Sequence, residues 1–548
     1  MKNSVHQANH SNSPVASLIS YAQNQRKEEI LHNMVPAKLR DYHEERTIHL
    51  HDLEYFDLTY NCIGVSVQDL VGENHMSFRQ MLRALGREIV ELTNLQSGGI
   101  GFINFDGDTT RYLGTEEDDE IIEAFHELYL DLNVNSRRGA EKPYVTFNFG
   151  LDSTPSGRRI SRLMLKAYLL GDAHGHPLIF PNLVFKIKSG INYESETANH
   201  DLLQEALSVT AKRMVPTYFN CDSSTNRDFD AESIGIMGCR TRVATNINGK
   251  IGALNRGNVA STTINLVQLA HRANGSWDQF FTLLEEVMYE VKKGLLRRMK
   301  MLCEKADFAV LYEKGYYCDS GKCDAYHMLR NGTLSIGFIG LWDAVATLHQ
   351  TSFATAEEML PYRDEAHRIV AYMREFTDQA TKDEHLNFSL LASAAEGVTG
   401  RFAKHDQEFI KTAQKGFYTN SFHVPVDVSI DCFQKCEFEA PFHALCNGGA
   451  ITYIEFEEMP SGNIEAVNEI VSYAHDAGCN YIGINFRMDN CRHCGHVGRI
   501  TDICPVCGSR DVRRLRRVSG YLSEDTSFTP GKKFELVKRT AHIHPGLL

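Results

Sequence analysis

The sequence predicts an α/β fold, because segments with the pattern of buried strands alternate with amphipathic helices over about 400 residues. Two segments, "YVTFNFG" (144–150) and "LIFPNLVFKI" (178–187), are apolar almost without alternation, as strands covered on both faces are. In "DDEIIEAFHELYLDLN" (118–133) the apolar residues share one helical face, behind acidic residues that suit a helix N-terminus. These patterns are typical of a sheet packed between helices.

Local signals set the bounds of further elements. Residues 47–65, "TIHLHDLEYFDLTYNCIGV", are rich in β-branched and aromatic residues and predict short extended pieces. A helix is predicted over "SFRQMLRALGREIVELTNLQSGG" (77–99), which ends on glycines. Ser276 and Gln279 have the spacing of a capping box, which predicts the start of a long helix that continues through Cys303.

The last predicted helix has a signal at each end. In "NIEAVNEIVSYAHDAG", Asn463 is placed as the N-cap and Gly478 as the C-cap. The apolar run "YIGINF" (481–486) follows directly and predicts a buried strand. The α/β pattern therefore extends to about residue 486.

Composition and charge exclude several classes of protein. A net charge of -13 argues against nucleic-acid binding by the chain as a whole, because phosphate binding needs a positive field. There is no apolar run of about 18 residues, so we expect no membrane span. The polar N-terminus, "MKNSVHQANHSNSPVASLISYAQNQRKEE", lacks the apolar core of a secretory signal. We therefore expect a cytoplasmic protein.

Four of the fourteen cysteines form two CxxC pairs with the spacing C-x2-C-x9-C-x2-C: Cys491, Cys494, Cys504 and Cys507. Each pair presents two thiolates to one point, and two pairs complete the tetrahedron that zinc prefers. Gly495 and Gly508 follow the pairs, as tight knuckle turns require. We predict a structural Zn²⁺ site, because four thiolates leave no open coordination position. A redox dithiol pair and coincidence are the alternatives.

A basic run follows the knuckle and gives a second interpretation of it. The run contains Arg510, Arg513, Arg514, Arg516 and Arg517. A zinc ribbon with these arginines would suit a nucleic-acid-binding protein. The acidic remainder of the chain weakens this alternative.

A single glycine close to the C-terminus carries the strongest functional signal. "RRVSGYLS" (516–523), with Gly520, comes just after the four-cysteine site and resembles the glycyl radical loop of the class III anaerobic ribonucleotide reductases. Removal of one Cα hydrogen from glycine leaves a radical that is delocalised over the flanking amide and carbonyl. The missing Cβ also lets the backbone approach a partner atom closely. A turn residue is the ordinary explanation of a lone glycine.

Three further segments carry the resemblance. "SIGIMGCRTR" (233–242) matches the family's finger loop, which implies that Cys239 becomes the transient thiyl radical that removes the ribose 3′ hydrogen. "NRGNVASTTINL" places Asn258 on the family's active-site asparagine, which positions substrate or formate. "IHLHDLEYFDLTYNC" resembles the first barrel strand and ends on Cys62, the reducing cysteine. Cys62 and Asn258 together mark the formate-dependent branch.

The resemblance spans about 400 residues and implies a fold, a domain order and partners. The fold is a ten-stranded α/β barrel with a C-terminal zinc knuckle and glycyl radical loop. We expect an N-terminal extension without an ATP-cone (1–46), a catalytic barrel with the helices of the effector and dimer region (47–486), and a zinc-binding, glycyl radical domain (487–548). Implied partners are a ribonucleoside triphosphate substrate, formate, deoxynucleotide or ATP effectors, a radical S-adenosylmethionine iron–sulfur activase and a second copy in a homodimer.

The sequence departs from the family pattern and leaves some roles open. "GRxNLG" of the family reads "NRGNVA" here, and "NLPRI" reads "NLVQL". The effector site is expected among the helices between Ser77 and Arg138, with no residues assigned. His49 and His51 flank the first strand and receive no role, since buried hydrogen-bonded histidines are the simpler explanation. A pyruvate formate-lyase type of glycyl radical enzyme is a further alternative, as is an inactive homologue, although the former uses adjacent cysteines and Cys239 has none beside it.

Overall fold

The computed structural model describes residues 8–11, 13–72, 75–307 and 324–542. Residues 1–7 and 543–548 of the two outer predicted domains lie outside the described residues. The strands, in chain order, are β1 (Ile48–Leu50), β2 (Ile63–Val65), β3 (Ile100–Phe102), β4 (Val145–Phe149), β5 (Asn182–Ile187), β6 (Thr217–Asn220), β7 (Ile236–Met237), β8 (Thr241–Arg242), β9 (Asn258–Asn265), β10 (Thr333–Ile339), β11 (Asn387–Ala392), β12 (Thr452–Glu455), β13 (Tyr481–Asn485), β14 (Met488–Cys491), β15 (Val497–Gly498), β16 (Val512–Arg517) and β17 (Leu522–Glu524).

Helices separate most of these strands and cover the sheets. In the described chain they are Pro14–Asn33, Ala37–Glu44, Val67–Val71, Phe78–Leu95, Phe105–Thr109, Asp118–Leu132, Pro155–Leu170, His200–Arg213, Leu266–Ala273, Trp277–Lys305, Ala325–Leu329, Leu341–Leu348, Ala356–Met359, Arg363–Glu384, Val398–Asp406, Cys432–Leu445, Ile464–Asp476 and Pro530–Lys538. Among the described residues, none of these helices is both long and apolar enough to cross a bilayer.

Two sheets form the main body. One has the order β12-β13-β6-β5-β4-β3-β2, in which β2 to β6 are parallel and β13 is antiparallel to β6. The other has the order β1-β9-β10-β11, with β9 to β11 parallel and β1 antiparallel at its edge. The α/β class is confirmed, and the two sets β2–β6 and β9–β13 supply the strands of the predicted barrel.

Backbone hydrogen bonds connect the two sheets at both edges. The Gly64 amide in β2 donates to the Arg256 carbonyl just before β9, at 2.8 Å. At the opposite edge the Ala392 amide of β11 donates to the Gly449 carbonyl ahead of β12, at 3.0 Å. These contacts place the two sheets around one interior.

The short hairpin of β7 and β8 occupies that interior, with Cys239 in the turn between them. Asn148 of β4 fixes it, because its side-chain amide donates to the carbonyl of Ile236 at 2.9 Å and its oxygen accepts from the amide of Ile236 at 2.8 Å. The Thr146 hydroxyl donates to the Gly238 carbonyl at 3.3 Å. Polar residues of β4 therefore face inward and hold the loop that carries the thiol.

Most predicted bounds agree with the structure, and two differ. The caps at Ser276 and Asn463 are confirmed, since both side chains accept a backbone hydrogen bond from the first turn. The strand predicted over 178–187 begins only at Asn182, because Pro181 has no amide hydrogen for the ladder. Cys62 does not end a strand but immediately precedes β2, after a short helical turn breaks the segment 47–65 into two strands. The domain boundaries stay predictions.

Candidate active site

A cavity of about 690 Å³ opens inside the two sheets. It brings together residues that are far apart in the sequence: Cys62, Cys239, and Ser519 and Tyr521 on either side of Gly520. Each comes from a different element, namely the start of β2, the hairpin turn and the turn between β16 and β17. Three of the positions singled out in the sequence therefore meet at one place.

Gly520 lies directly against the backbone of Cys239. A Cβ built on Gly520 would lie no farther than 2.5 Å from the carbonyl oxygen, the Cα and the carbonyl carbon of Cys239. Protein interiors do not accommodate such distances, so no other residue fits here without movement of one of the two loops. The absence of a side chain at Gly520 is what permits the contact.

Two consecutive hydrogen bonds between the two loops maintain this contact. The Arg240 guanidinium donates to the Tyr453 hydroxyl at 3.2 Å, and that hydroxyl donates in turn to the Ser519 carbonyl. Arg240 follows Cys239 and Ser519 precedes Gly520. These hydrogen bonds therefore join the immediate neighbours of Cys239 and Gly520. The glycine turn is closed by a bond from the Val518 amide to the Tyr521 carbonyl at 3.0 Å.

Both thiols are held in their neutral form. Burial raises the pKa of the half-buried Cys239 thiol, and burial raises the pKa of Cys62 to about 12. Cys62 donates to the Asn61 side-chain oxygen at 2.8 Å, and its sulfur accepts from the Gly99 amide at 3.3 Å. Each sulfur therefore keeps a hydrogen at neutral pH and is suited to give up a hydrogen atom rather than to act as a thiolate nucleophile.

Asn258 supports the position of Cys62 from behind. Its carbonyl accepts from the amides of Asn61 and Cys62 at 3.0 and 3.1 Å. Its side-chain amide donates to the hydroxyls of Ser335 at 2.7 Å and Thr333 at 3.1 Å. The residues described as lining the cavity do not include Asn258. Its predicted contact with substrate or formate stays a prediction, and the observed contacts position the neighbouring cysteine.

His49 and His51, to which the sequence assigned no role, both line the cavity. His49 Nδ1 accepts from the Arg401 guanidinium at 2.6 Å, and His51 contacts the Thr263 hydroxyl at 2.7 Å. Burial lowers the pKa of His49, and burial lowers that of His51 to about 4. The rings are therefore neutral at pH 7. Their i, i+2 spacing on an extended segment puts both on one face, a signal that could have placed them together.

Glu396 is a cavity residue that no sequence pattern indicated. It lines the cavity, accepts from the Tyr521 hydroxyl at 2.7 Å and accepts from the Ala8 amide at 2.5 Å. Burial raises its pKa to about 7. The Ser523 hydroxyl also donates to the Ala8 carbonyl at 2.9 Å, so the N-terminal segment bridges Glu396 and the chain after Gly520. A lone glutamate in a loop has no spacing pattern by which it could be found.

The four-cysteine cluster lies at the other end of the strand that leads to Gly520. Its four sulfurs lie within 4.8 Å of one another, with Cys491 to Cys507 at 3.5 Å and Cys494 to Cys504 at 3.6 Å. A tetrahedron with metal–sulfur bonds of about 2.3 Å requires sulfur separations of about 3.8 Å. The set therefore fits a metal ion that has four thiolate ligands. Gly495 and Gly508, at φ +76° and +74°, form the predicted turns.

A pH-dependent stability is expected from Glu396. Its pKa is raised from 4.5 to about 7, so its protonated form stabilises the folded chain below about pH 4.5, and this contribution is lost as the pH rises through 7. In Glu396→Gln the side chain stays neutral at every pH, so only the wild type loses this stability as the pH rises. The free energy of unfolding of the variant minus that of the wild type should therefore be about 2 kcal/mol larger at pH 8 than at pH 5. Urea unfolding at both pH values measures this difference. Glu408→Gln, at a solvent-exposed position, serves as the control. A difference that does not change with pH would contradict the assignment.

Comparison with known proteins shows the family to which the chain belongs. The sequence model of the anaerobic ribonucleoside-triphosphate reductases matches residues 6–542. The enzyme of that name from Escherichia coli strain K12 is 28% identical over 573 residues, which cover 94% of this chain and 80% of the relative. The phage T4 enzyme is 27% identical, with 94% and 93% covered. The crystal structure of the Thermotoga maritima anaerobic ribonucleotide reductase with dATP and CTP is 17% identical and shares the fold, with a TM-score of 0.74 over 95% of this chain and 92% of that one. The chain belongs to the anaerobic ribonucleoside-triphosphate reductase family.

Proposed function

We propose that this chain reduces ribonucleoside triphosphates to 2′-deoxyribonucleoside triphosphates by glycyl and thiyl radical chemistry, with formate as the reductant. Membership of the family makes the chain a ribonucleoside-triphosphate reductase. The observation that carries the radical mechanism is the contact of Gly520 with Cys239 inside a cavity that also contains Cys62. Direct contact is what transfer of a hydrogen atom between two residues requires.

The reaction begins with a radical stored on Gly520, formed when an activase removes one Cα hydrogen. The Cys239 thiol gives its hydrogen atom to that carbon, and the resulting thiyl radical takes the 3′ hydrogen of the ribose. With the unpaired electron at C3′, the 2′ hydroxyl takes up a proton and leaves as water. The neutral thiol is essential to the first transfer, since a thiolate has no hydrogen to give.

Reduction then completes the cycle. Cys62 delivers a hydrogen to C2′, and formate supplies the remaining reducing equivalents and leaves as carbon dioxide. Formate and one proton are consumed for each water and each carbon dioxide released. Cys239 returns hydrogen to C3′ and recovers its own from Gly520, which restores the stored radical. Cys62 suits this task because its sulfur is buried at the cavity and the Asn258 carbonyl fixes its backbone.

Activation requires movement of the glycine loop. Ser519 and Tyr521 are each 4% exposed, so an activase of the radical S-adenosylmethionine type cannot reach Gly520 in this arrangement. We infer that the loop leaves the cavity together with β16 and β17, which connect it to the four-cysteine cluster. Zinc bound by the four thiolates would stiffen this unit, so that the loop returns to the same place.

Effector binding and dimer formation remain proposals that rest on the family. The helices Phe78–Leu95 and Asp118–Leu132 pack together in the segment predicted for them, and a cavity of about 290 Å³ lies against both. We propose that deoxynucleotides or ATP bind in this segment, between residues 77 and 138, beside a second copy of the chain, with no residues assigned to the site.

The nucleic-acid alternative is not supported by the basic run. Arg513 pairs with Glu524 at 2.8 Å and Arg516 pairs with Asp489 at 2.6 Å. Arg517 is buried and donates to the Asn485 side chain at 2.6 Å. Arginines with internal partners cannot also neutralise phosphates. Three of the five arginines of the basic run therefore stabilise the C-terminal sheet and its contact with the rest of the chain.

The radical mechanism is tested by electron paramagnetic resonance after anaerobic activation. The wild type should give the doublet of a glycyl radical, and air should then cleave the chain at Gly520. Gly520→Ala should give neither result. Cys239→Ala should keep the doublet and lose turnover at least a thousandfold, because the loss of a covalent step leaves no other hydrogen donor in contact. Cys303→Ala, a half-buried cysteine on an outer helix, serves as the control with normal turnover. Turnover by Cys239→Ala would refute the mechanism.

The zinc assignment is tested by metal analysis of protein purified without oxygen. We expect one zinc per chain. Replacement of the two exposed cluster cysteines in Cys494→Ser/Cys507→Ser should lower the zinc content and speed hydrogen exchange in β14 to β17, while exchange in β2 to β6 stays unchanged. Cys221→Ser, away from the cluster, should keep the metal. Well-folded wild-type protein that contains no zinc would contradict the assignment.

A further inference from the structure

A second, smaller cavity of about 50 Å³ lies behind the glycine loop. Its walls come from the segment 417–426, the ends of β12 and β13, the chain at 517–519 and the C-terminal helix Pro530–Lys538. Ser519 lines this cavity and also the active-site cavity. The proposed mechanism assigns no task to this space.

The lining of the small cavity contains one buried positive charge that has no counter-ion among the residues that the structure describes. Arg517 is 2% exposed, and its guanidinium donates to the Asn485 side chain and the Met214 carbonyl, both uncharged. Within the described part of the chain, no carboxylate oxygen lies within 4.0 Å of it. Burial of an unpaired charge is costly, so a site of this kind favours an anion.

The other cations of the lining are already paired. Lys435 pairs with Glu439, and Lys532 pairs with Glu535 at 2.5 Å. Arg539 pairs with Glu535 at 2.8 Å and with Glu455, a second carboxylate of the lining, at 3.5 Å. Together with Arg517, four cations therefore face the three carboxylates of Glu439, Glu455 and Glu535. The excess charge of the cavity is therefore the single charge of Arg517, which calls for a monovalent ligand.

Two polar atoms that line the cavity are buried without a hydrogen-bond partner. They are the Thr419 hydroxyl oxygen and the His423 Nε2, on residues that are 3% and 6% exposed. Both side chains are held in place. The Thr419 amide donates to Asp343 at 2.7 Å, and the His423 Nδ1 contacts Glu439 at 3.3 Å. Thr419 can donate to an anion through its hydroxyl. Burial lowers the pKa of His423, so its neutral ring donates through Nδ1 to Glu439 and keeps Nε2 as an acceptor.

The volume limits the ligand to a few heavy atoms. A cavity of about 50 Å³ has room for an ion of a few heavy atoms, whereas sites for larger ligands such as nucleotides measure about 300 Å³ or more. A carboxylate also matches the planar fork of a guanidinium, which a halide does not. The charge, the size and the hydrogen-bonding groups of the cavity all indicate a small carboxylate as the ligand.

We propose that this cavity binds a small monovalent carboxylate, with formate as the ion that fits, between Arg517 and Thr419. The inference rests on the proposed function, in which formate is the reductant. Formate held here lies behind Ser519, one residue from Gly520, and is separated from the active-site cavity only by the loop that must move for activation. The site thus binds the reductant next to the reaction cavity before it reacts.

Binding to the complete, unactivated chain tests the proposal without turnover. Titration with ¹³C-formate, followed by nuclear magnetic resonance line broadening with a saturating ribonucleoside triphosphate present, gives the dissociation constant. Thr419→Val should weaken binding about tenfold, the effect of one lost hydrogen bond to a charged group. Thr399→Val is the matched control, because its hydroxyl is also buried without a partner but does not line this cavity. Both variants should fold, since neither hydroxyl has an internal partner to lose.

Crystals soaked in formate or in bromide locate the ion. We expect a carboxylate between Arg517 and Thr419 in the formate soak, which is lost in Thr419→Val. Equal affinity of the two threonine variants, or a cavity that contains only water or takes bromide as readily, would overturn the proposal. These results are independent of the reductant. If the activated enzyme turned over without formate, the proposed function would fail in that respect, while the binding measurement would still decide the site.

Discussion

The contact between Gly520 and the backbone of Cys239 is the constraint on which the rest of the structure depends. It requires a residue without a side chain, a hairpin turn held in the interior, and a second turn brought from the far end of the chain. The fold provides each part separately. Asn148 and Thr146 anchor the hairpin from β4, and the bonds from Arg240 through Tyr453 to Ser519 hold the two turns together.

The environment of the contact suits transfer of hydrogen atoms rather than ions. Burial keeps both thiols protonated and keeps the cavity histidines neutral. Glu396 is poised near neutrality and joins Tyr521 to the N-terminal segment. Charged side chains such as Asp52, Arg137 and Arg401 also line the reaction cavity. Behind the glycine loop, Arg517 is buried with no carboxylate partner among the described residues, and Ser519 lines both cavities.

The sequence was informative where chemistry restricts the residue type. Only cysteine can supply the thiol, only glycine fits against Cys239, and paired CxxC turns have a recognisable spacing. Buried strands such as β13 were also predictable, because they have few polar residues. The inward task of Thr146 and Asn148 in β4 was not, because it depends on the distant hairpin. Glu396, Arg401 and Thr419 could not be found in this way, because each is a common residue whose importance comes from distant neighbours. Asn258 shows a related limit: its position was indicated by resemblance, whereas its contacts with Ser335 and the Cys62 amide are visible only in three dimensions.

Exchange of hydrogen in heavy water tests the central contact most directly. If Gly520 touches Cys239 in the activated enzyme, the thiol, which carries deuterium in D₂O, will pass it to the glycine carbon. The doublet of the glycyl radical should then collapse to a single line in the wild type and persist in Cys239→Ala. A wild-type doublet that remains unchanged in D₂O would show that the two residues do not exchange hydrogen and would contradict this account.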